Sequence, residues 1–387
     1  MTPVTREERP VNTASPTATL TADMLPSDGK FGSGPSRLRP EQLTSLTTTY
    51  RDLLGTSHRQ APVKALVGSV QRQLLDLFDA PDGYEVVMGN GGAAMFWDVA
   101  AASLIEHRAQ CLSFGAFGKK FARAAGAPWL ETPSVRSAPH GSLAAPVAEA
   151  GIDVYAWPHN DTSTGVVVPV ERVVPASEAL TLIDATSAAG GINFDAANAD
   201  VYYFAPQKNL GSDGGLWIAL LSPAAIERAE RIAASGRHIP DSLNLHLAIT
   251  NSRSQQTVNT PSLVTLALLE TQLQWIIASG GLTWAESRAR ESSEMLYRWA
   301  ERSDFATPFV ADPVHRSPVN ATIEFAADVD ARELSRQLRA HGIVDVDAYS
   351  GIGQNQLRIA TYVSVEPDDV RRLTECIDAI VGGLRGR

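Results

Sequence analysis

The stretch Tyr202-Tyr203-Phe204-Ala205-Pro206-Gln207-Lys208-Asn209-Leu210-Gly211 decides the fold class, because it carries a lysine from an apolar strand into a turn. Aromatic residues pack well inside a sheet, whereas a lysine is rarely buried without a partner. A second apolar strand, beginning at Leu180, ends in Asp184. An acid and a lysine in this order suit pyridoxal phosphate chemistry. The lysine forms a Schiff base with the cofactor, and the carboxylate keeps the pyridine nitrogen protonated.

Length, composition and charge predict a two-domain globular protein that does not bind nucleic acid. The chain has 387 residues, more than one typical core contains. Hydrophobic residues make up 44% and charged residues 20%, an ordinary globular balance. The net charge is −10, and no block of Lys and Arg offers a surface for nucleic acid. No uncharged run is long enough to span a membrane, so we expect no membrane partner.

The cysteines and the N-terminal residues favour a cytoplasmic location. Cys111 and Cys376 are far apart and lack a CxxC pattern, so they read as reduced thiols and not as a disulfide or zinc site. Residues 1–30 are rich in Thr, Pro, Ser and Ala and contain no compact apolar segment. This composition predicts a disordered tail and argues against a secretory signal.

The remaining sequence predicts an α/β fold with a mostly parallel central sheet and helices on both faces. From Phe31 onward, apolar strand patterns alternate with helical ones, which is typical of parallel α/β sheets. We assign residues 31–300 to a large cofactor-binding domain. Residues 301–387 change character, with strands near Ala321–Phe325 and Gln356–Ala360 and two amphipathic helices, and predict a small α+β domain.

Three segments before the lysine are candidates for contacts with the cofactor. The Gly-rich turn after Met88 leads into a helix, and the free amides at Ala93 and Ala94 suit a phosphate. Phe117 can stack on a pyridine ring, and Thr162 follows a strand end and can bind a phenolic oxygen. Each segment also has a purely structural interpretation. The Gly-rich turn can be an ordinary strand-to-helix turn, Phe117 can be a core residue, and Thr162 can be part of a polar turn that stabilises only itself.

Two sites offer arginines for anionic substrates. His58 and Arg59 lie in a polar loop that ends at Pro62, and Arg358 lies inside the apolar strand at Gln356–Ala360. A guanidinium in such a strand needs a partner, and bidentate binding of a carboxylate is one use for it. A structural salt bridge for either arginine, and a hydrogen-bonded loop histidine, remain the alternatives.

These segments, in this order, resemble the phosphoserine aminotransferases, a pyridoxal-phosphate-dependent group of the class V aminotransferases. The resemblance covers nearly the whole chain from about Phe31. The actinobacterial branch is the closest match, since it shares the GNGGA turn at 89–93 and the HNxTSTG loop at 159–165. The resemblance implies the type I fold of pyridoxal-phosphate-dependent transferases. Its sharpest motifs are Phe31-Gly32-Ser33-Gly34-Pro35, Ser57-His58-Arg59, Ala205-Pro206-Gln207-Lys208-Asn209 and Asn259-Thr260-Pro261.

The resemblance also implies a role for each matching residue. Lys208 is the Schiff-base lysine, Asp184 is the partner of the pyridinium nitrogen, and Phe117 stacks on the ring. The other implied cofactor contacts are Ala93, Ala94, Thr162 and Gln207, with Asn259 and Thr260 reaching the phosphate from the neighbouring subunit. A homodimer with shared active sites follows. The implied substrate contacts are Ser33, His58, Arg59 and Arg358, with Arg358 on the α-carboxylate.

One position departs from the family pattern. Many members carry an arginine where this chain has Ala94, and that arginine helps to bind the substrate phosphate. A charge-assisted hydrogen bond of this kind contributes roughly 1.5–3 kcal/mol. His58 and Arg59 could suffice without it, or Lys119, Lys120 or Arg123 could replace it.

The implied reaction is reversible amino transfer between glutamate and 3-phosphohydroxypyruvate, which gives O-phospho-L-serine and 2-oxoglutarate in serine biosynthesis. A second substrate in vitamin B6 synthesis stays open. Another class V aminotransferase, acting on alanine or serine with glyoxylate, is the main alternative, although His58 and Arg59 would then have no clear task. A cysteine desulfurase and a non-catalytic module with this fold are the remaining alternatives.

Overall fold

A computed structural model describes residues 20–174, 178–353 and 355–385. The α-helices in these ranges are α1 (Pro40–Thr47), α2 (Ala61–Leu77), α3 (Ala93–Ser103), α4 (Ala116–Ala124), α5 (Pro223–Ala234), α6 (Leu245–Arg253), α7 (Leu263–Ala278), α8 (Gly281–Arg302), α9 (Ala331–Ala340) and α10 (Pro367–Arg385). The strands are β1 (Glu85–Asn90), β2 (Ala109–Ser113), β3 (Ser134–Ser137), β4 (Val154–Pro158), β5 (Asn160–Asp161), β6 (Val166–Val167), β7 (Leu180–Asp184), β8 (Val201–Phe204), β9 (Leu216–Leu221), β10 (Ala306–Pro308), β11 (Asn320–Phe325) and β12 (Gln356–Ala360).

The large sheet confirms the predicted mostly parallel α/β fold. Its strand order is β1-β9-β8-β7-β4-β2-β3, and neighbouring strands from β8 to β3 are parallel. Strand β9 runs antiparallel to both of its neighbours, β1 and β8. The other strands therefore point in one direction, and the loops that follow them gather at one edge of the sheet, where ligands bind in open α/β folds.

The central strands are buried on both faces, so each face needs a helical layer. In β8, Tyr202 and Phe204 belong to one hydrophobic core, which also contains apolar residues of α2 and α7. The alternate residues Val201 and Tyr203 belong to a second core, with residues of α3, α5 and α6. This period of two is the geometry of a strand, and it confirms the prediction of helices on both faces.

A second, antiparallel sheet of order β10-β11-β12 lies in the C-terminal part of the chain. Its own core contains apolar residues from α9, α10 and the last turns of α8, including Leu296 and Ala300. These residues of α8 come before position 301, although they pack in the C-terminal core. The predicted boundary between residues 31–300 and 301–387 therefore stays a prediction.

Residues 20–30 do not follow the predicted disordered tail. The backbone N–H of Ser27 donates to Asp369 Oδ1 at 2.6 Å, and its hydroxyl donates to Oδ2 at 3.0 Å. Arg37 pairs with the same carboxylate at 2.9 Å, and Phe31 is fully buried in the C-terminal core. The prediction fails here because Asp369 lies far away in the sequence, where composition gives no sign of it. Residues 1–19 lie outside the described residues.

Among the described residues, no single helix is long and apolar enough to cross a membrane. Helices α7 and α8 meet that requirement of length and composition only as a pair that bends by 91°. Leu266, Leu269 and Leu273 of α7 are fully buried, as its apolar circumference predicts for an internal helix.

Candidate active site

Three parallel strands deliver the predicted chemical groups to one edge of the large sheet. Asp184 is the last residue of β7, and Lys208 lies four residues beyond the end of β8. Thr162 follows β5, just past the end of β4, which pairs with β7. Lys208 Nζ donates to Thr162 Oγ1 at 2.6 Å, and the charge of Asp184 acts on the amine of Lys208. The acid and the lysine are therefore neighbours across the sheet edge.

The turn after β8 holds the Lys208 side chain inside the protein, where it is 7% exposed. Gly211 closes the turn, since its N–H donates to the carbonyl of Lys208 at 2.8 Å and its φ is +52°. The Ser36 hydroxyl donates to the same carbonyl at 2.8 Å. A Cβ atom on Gly34 would lie 3.1 Å from Cε of the lysine, so glycine leaves room for the side chain.

Burial lowers the pKa of Lys208 to about 8, and the neighbouring Arg358 acts in the same direction, while Asp184 and Asp161 oppose them. Desolvation disfavours the ammonium form because no solvent shell stabilises its charge. The described residues include no carboxylate in salt-bridge contact with this amine. Lys208 therefore has a larger share of the neutral, nucleophilic amine near neutral pH than an ordinary lysine has.

We expect the rate at which the cofactor-free protein captures pyridoxal phosphate to rise about tenfold between pH 7 and pH 9 and then to level off. The neutral amine is the reactive form, and a pKa near 8 makes it a minority at pH 7 and a majority at pH 9. An ordinary lysine, with a pKa of about 10.4, keeps gaining reactivity above pH 9, and N-acetyl-lysine provides that reference. Stopped-flow absorbance gives the rates. A profile parallel to that of N-acetyl-lysine would show that burial does not depress the pKa.

Asp184 is 8% exposed and is oriented by two neighbours. Its Oδ1 accepts from the backbone N–H of Thr186 at 3.0 Å and from the hydroxyl of Thr186 at 2.7 Å. Its Oδ2 accepts from the indole Nε1 of Trp97 at 3.2 Å. Sequence reasoning missed Trp97, although an indole N–H on a helix that begins at the Gly-rich turn is a signal that could have been used.

Phe117 lies above the lysine, with its ring centroid 5.1 Å from Lys208 Nζ. It occupies the first turn of α4. Its N–H donates to Asp161 Oδ2 at 3.2 Å, and Asp161 Oδ1 accepts from the N–H of Ser163 at 3.0 Å. Burial raises the pKa of Asp161, and the hydrogen bonds from Ser163, Gly118 and Phe117 oppose that rise.

Asp161 lies beside Thr162 in the site, and the sequence analysis gave it no role. It joins the start of α4 to the loop that carries Thr162, so it positions the ring and the hydroxyl relative to each other. A Cβ on Gly115 would come 2.3 Å from its carboxyl carbon, and the close approach therefore requires glycine. The position of Asp161 beside Thr162 was the only available signal.

The N-terminus of α3 presents free backbone amides beside Asp184. Gly91 has a φ of +109°, and a Cβ on Gly92 would meet no atom within 4 Å. Within the described structure, the N–H groups of Ala93 and Ala94 donate to no protein acceptor. Trp97, one turn further along α3, reaches Asp184, so this helix end and the acid belong to the same site.

Arg358 brings the second sheet into the site. It lies in β12, and its Nη1 donates to the carbonyl of Thr162 at 3.1 Å. Burial lowers the pKa of its guanidinium, and its Nε is buried without a hydrogen-bond partner. Two other side-chain oxygens are buried without a hydrogen-bond partner, Ser33 Oγ and Gln207 Oε1. Gln207 precedes the lysine in the sequence, and Ser33 precedes Gly34, which lies against the lysine side chain.

The other four predicted residues have no described contact with Lys208, and two of them are tied to Asn90 at the end of β1. His58 Nδ1 and Thr260 Oγ1 are 3.1 Å apart, and Thr260 accepts through its carbonyl from Asn90 Nδ2 at 2.9 Å. Asn259 and Arg59 are exposed beside them in the sequence. We call His58, Arg59, Asn259 and Thr260 the outer group. None of its described contacts reaches Lys208, Thr162 or Phe117.

The residues around Lys208 fit pyridoxal phosphate. The buried amine would react with the aldehyde of the cofactor, the carboxylate of Asp184 would pair with its ring nitrogen, and the free helix amides would bind its phosphate. The unpaired atoms of Ser33, Gln207 and Arg358 are the partners that a polar ligand would satisfy, because buried polar atoms are normally hydrogen-bonded. The described residues contain no cluster of His, Cys, Asp and Glu that could hold a metal ion.

Comparisons with known proteins agree with this chemistry. Residues 143–351 match the family described as aminotransferase class V. A Nocardioides protein named phosphoserine aminotransferase is 55% identical over 365 residues, covering 94% of this chain and 98% of its own. A Mycobacterium leprae relative, to which the same name is assigned provisionally, is 54% identical and covers 96% of this chain and 99% of its own.

Solved structures share the fold. A phosphoserine aminotransferase from Cytophaga hutchinsonii superposes with a TM-score of 0.82 at 22% identity, covering 91% of this chain and 99% of that one. A pyridoxamine–pyruvate aminotransferase from Mesorhizobium loti gives a TM-score of 0.80 at 20% identity, with 95% of both chains covered. At these identities the likeness establishes the architecture, and the substrate has to be argued from the site.

Proposed function

Because the chain belongs to the class V aminotransferases, and among them to the phosphoserine aminotransferase family, we propose that it transfers an amino group reversibly between glutamate and 3-phosphohydroxypyruvate. The products are O-phospho-L-serine and 2-oxoglutarate, and the pathway is serine biosynthesis. The chain is a pyridoxal-phosphate-dependent transaminase. The observation that carries the proposal is Arg358, a buried guanidinium beside Lys208 with an unpaired Nε, because an amino acid substrate has an α-carboxylate for it.

Each residue around the lysine has one proposed task. Pyridoxal phosphate, when bound, supplies the electron sink for the reaction. Lys208 would anchor the cofactor through its amine and, once free, would carry a proton to and from the substrate Cα. Asp184 would keep the ring nitrogen protonated, and Phe117 would cover the ring. Thr162 and Gln207 would bind the cofactor beside the lysine, and Ala93 and Ala94 would hold its phosphate.

The substrates are proposed to bind between the two sheets. Arg358 takes the α-carboxylate as a bidentate partner, with Ser33 beside it. His58 and Arg59 take the second anionic group, which is the phosphate of one substrate and the side-chain carboxylate of the other. The close relatives named above favour this reading over an enzyme acting on alanine or serine with glyoxylate, and they lend no support to a second substrate in vitamin B6 synthesis.

The outer group supports a homodimer with shared active sites. His58, Arg59, Asn259 and Thr260 are suited to anions, but none of their described contacts within one chain reaches Lys208. A second copy would bring its outer group to the lysine, so that Asn259 and Thr260 reach the cofactor phosphate. Closed symmetric pairs are the commonest soluble oligomers. We place the enzyme in the cytoplasm, since its two cysteines are free and buried.

Mixing two inactive variants tests the shared site. Lys208→Ala and Arg59→Ala each leave every site of a homodimer defective. In a mixed dimer, one site combines the intact lysine of one chain with the intact arginine of the other. Random exchange of subunits should therefore restore about a quarter of wild-type activity. A mixture of Lys208→Ala with Asp184→Ala is the control, because both changes lie in the same part of the site and no intact site forms. Equal activity in the two mixtures would contradict sharing.

The amino acceptor decides the function. The purified holoenzyme is offered 3-phosphohydroxypyruvate, pyruvate and glyoxylate in turn, with glutamate as donor, and kcat/KM is measured for each. We expect a strong preference for 3-phosphohydroxypyruvate, because its phosphate adds a second anionic group. A preference for glyoxylate or pyruvate would assign the chain to the alternative class of substrates.

A further inference from the structure

Lys120 lies at the edge of the site on α4, one turn after Phe117. Its Nζ donates to Tyr349 Oη at 3.0 Å and lies 5.3 Å from the centroid of the Phe117 ring. The rings of Phe117 and Tyr349 meet edge to face, with centroids 5.7 Å apart. Tyr349 belongs to the loop that leads into β12, and sequence reasoning gave it no role.

Three cations surround this pair of rings. Lys208 Nζ lies 5.1 Å from the Phe117 centroid, and the guanidinium carbon of Arg358 lies 5.3 Å from the Tyr349 centroid. Lys120 lies between the rings, 5.8 Å from the centroid of Tyr349. Aromatic faces attract cations, but they do not neutralise them. The charges of Asp184 and Asp161 act on Lys208, but Lys120 and Arg358 form no salt bridge among the described residues. These two cations favour a ligand that carries more than one negative charge.

Nearby carboxylates are already engaged elsewhere. Asp161 accepts hydrogen bonds from its own loop and from the start of α4. Asp347, close to Arg358, pairs with Arg339 at 3.1 Å and accepts from Ser335 at 2.6 Å. Within the described part of the chain, neither Lys120 nor Arg358 forms a salt bridge. The ammonium of Lys120 is therefore available to an incoming anion.

We propose that Lys120, held by Tyr349, acts together with His58 and Arg59 in binding the second anionic group of the substrate and contributes to the specificity for it. The inference rests on the proposed function, in which Arg358 takes the α-carboxylate. It gives the site a cation in place of the arginine that many relatives carry where this chain has Ala94. Of the three replacement candidates, Lys120 is the one whose side chain contacts the site residues, since Lys119 and Arg123 have no described contact with Phe117 or Tyr349.

The test compares one dicarboxylate with one monocarboxylate. Glutarate and butyrate are measured as competitive inhibitors of the holoenzyme against glutamate, so that only the second charge differs. We expect Lys120→Met to weaken the binding of glutarate about tenfold. This is the lower end of the range for a charge-assisted hydrogen bond, because Lys120 is exposed to solvent. The inhibition constant of butyrate should change less than about twofold. Lys120→Arg should keep most of the affinity for glutarate, and Lys119→Met is the matched control on the same helix.

Two results would overturn the proposal. Equal weakening of glutarate and butyrate would mean that Lys120 only supports the Tyr349 loop, and unchanged glutarate binding would mean that it contacts no substrate. Tyr349→Phe separates the hydrogen bond from the ring, and we expect a smaller loss that is again confined to glutarate. The inhibitor measurements do not depend on which keto acid is the natural acceptor, so they remain informative if 3-phosphohydroxypyruvate proves a poor substrate.

Discussion

Lys208→Ala should reduce amino transfer by about ten-thousand-fold or more, because one side chain both anchors the cofactor and moves the proton. Among the described residues, the Thr162 hydroxyl, the Phe117 ring and the guanidinium of Arg358 lie near the amine, and none of them is a base at neutral pH. The carboxylates of Asp184 and Asp161 also act on the amine, but both accept hydrogen bonds from other groups. Steady-state kinetics with glutamate gives the loss.

Three further measurements make the Lys208→Ala result specific. Borohydride reduction followed by peptide mapping should label Lys208 in the wild type and no lysine in the variant. Small primary amines should restore part of the activity by entering the space that the side chain leaves. Lys30→Ala removes an exposed lysine that pairs with Asp28 and should leave kcat unchanged. A Lys208→Ala protein that folds and turns over at a rate near the wild type would end the proposal.

Asp184→Asn should lower kcat by about a hundred- to a thousand-fold, the usual effect of removing one preorganised electrostatic partner of a reacting group. Asparagine keeps the size of the side chain, and its one oxygen can still accept hydrogen bonds from Thr186, although its amide nitrogen cannot accept from Trp97. It carries no charge to hold a proton on the ring nitrogen. The variant should therefore keep the cofactor and the fold while losing rate.

The readout for Asp184→Asn separates chemistry from binding. Equilibrium dialysis should show cofactor retained close to the wild-type level, while single-turnover rates with glutamate fall. Asp241→Asn, at an exposed position, controls for the general loss of one negative charge. If Asp184→Asn loses the cofactor and its rate recovers with excess pyridoxal phosphate, then Asp184 serves binding and not the electron sink.

Local sequence patterns predicted the elements that deliver the central residues. Strand β8 coincides with the apolar run that precedes the lysine turn, and β7 ends at Asp184 as predicted, since a strand buried on both faces is largely apolar. With parallel strands, the acid of β7 and the lysine after β8 had to reach the same edge. The order of these residues along the chain was therefore enough to predict that Asp184 and Lys208 lie close together.

Long-range contacts could not be predicted in the same way. Trp97 and Asp184 meet across 87 positions, and Arg358 reaches the carbonyl of Thr162 across 196. Such contacts depend on how a helix is rotated against the sheet and on how the second sheet is docked, and neither leaves a periodic signal. Tyr349 lies in a loop whose conformation is set by its packing against Phe117 and Arg358.

The buried carboxylate of Asp369 has a consequence for how the protein is made. It binds Ser27, 342 positions earlier, and Arg37, 332 positions earlier. On the ribosome, the leading segment has therefore left the exit tunnel long before its acceptor is translated. Contacts between such distant positions form slowly. The same leading segment supplies Ser36 to the lysine turn. Its full set of contacts can therefore form only after Asp369 has left the ribosome.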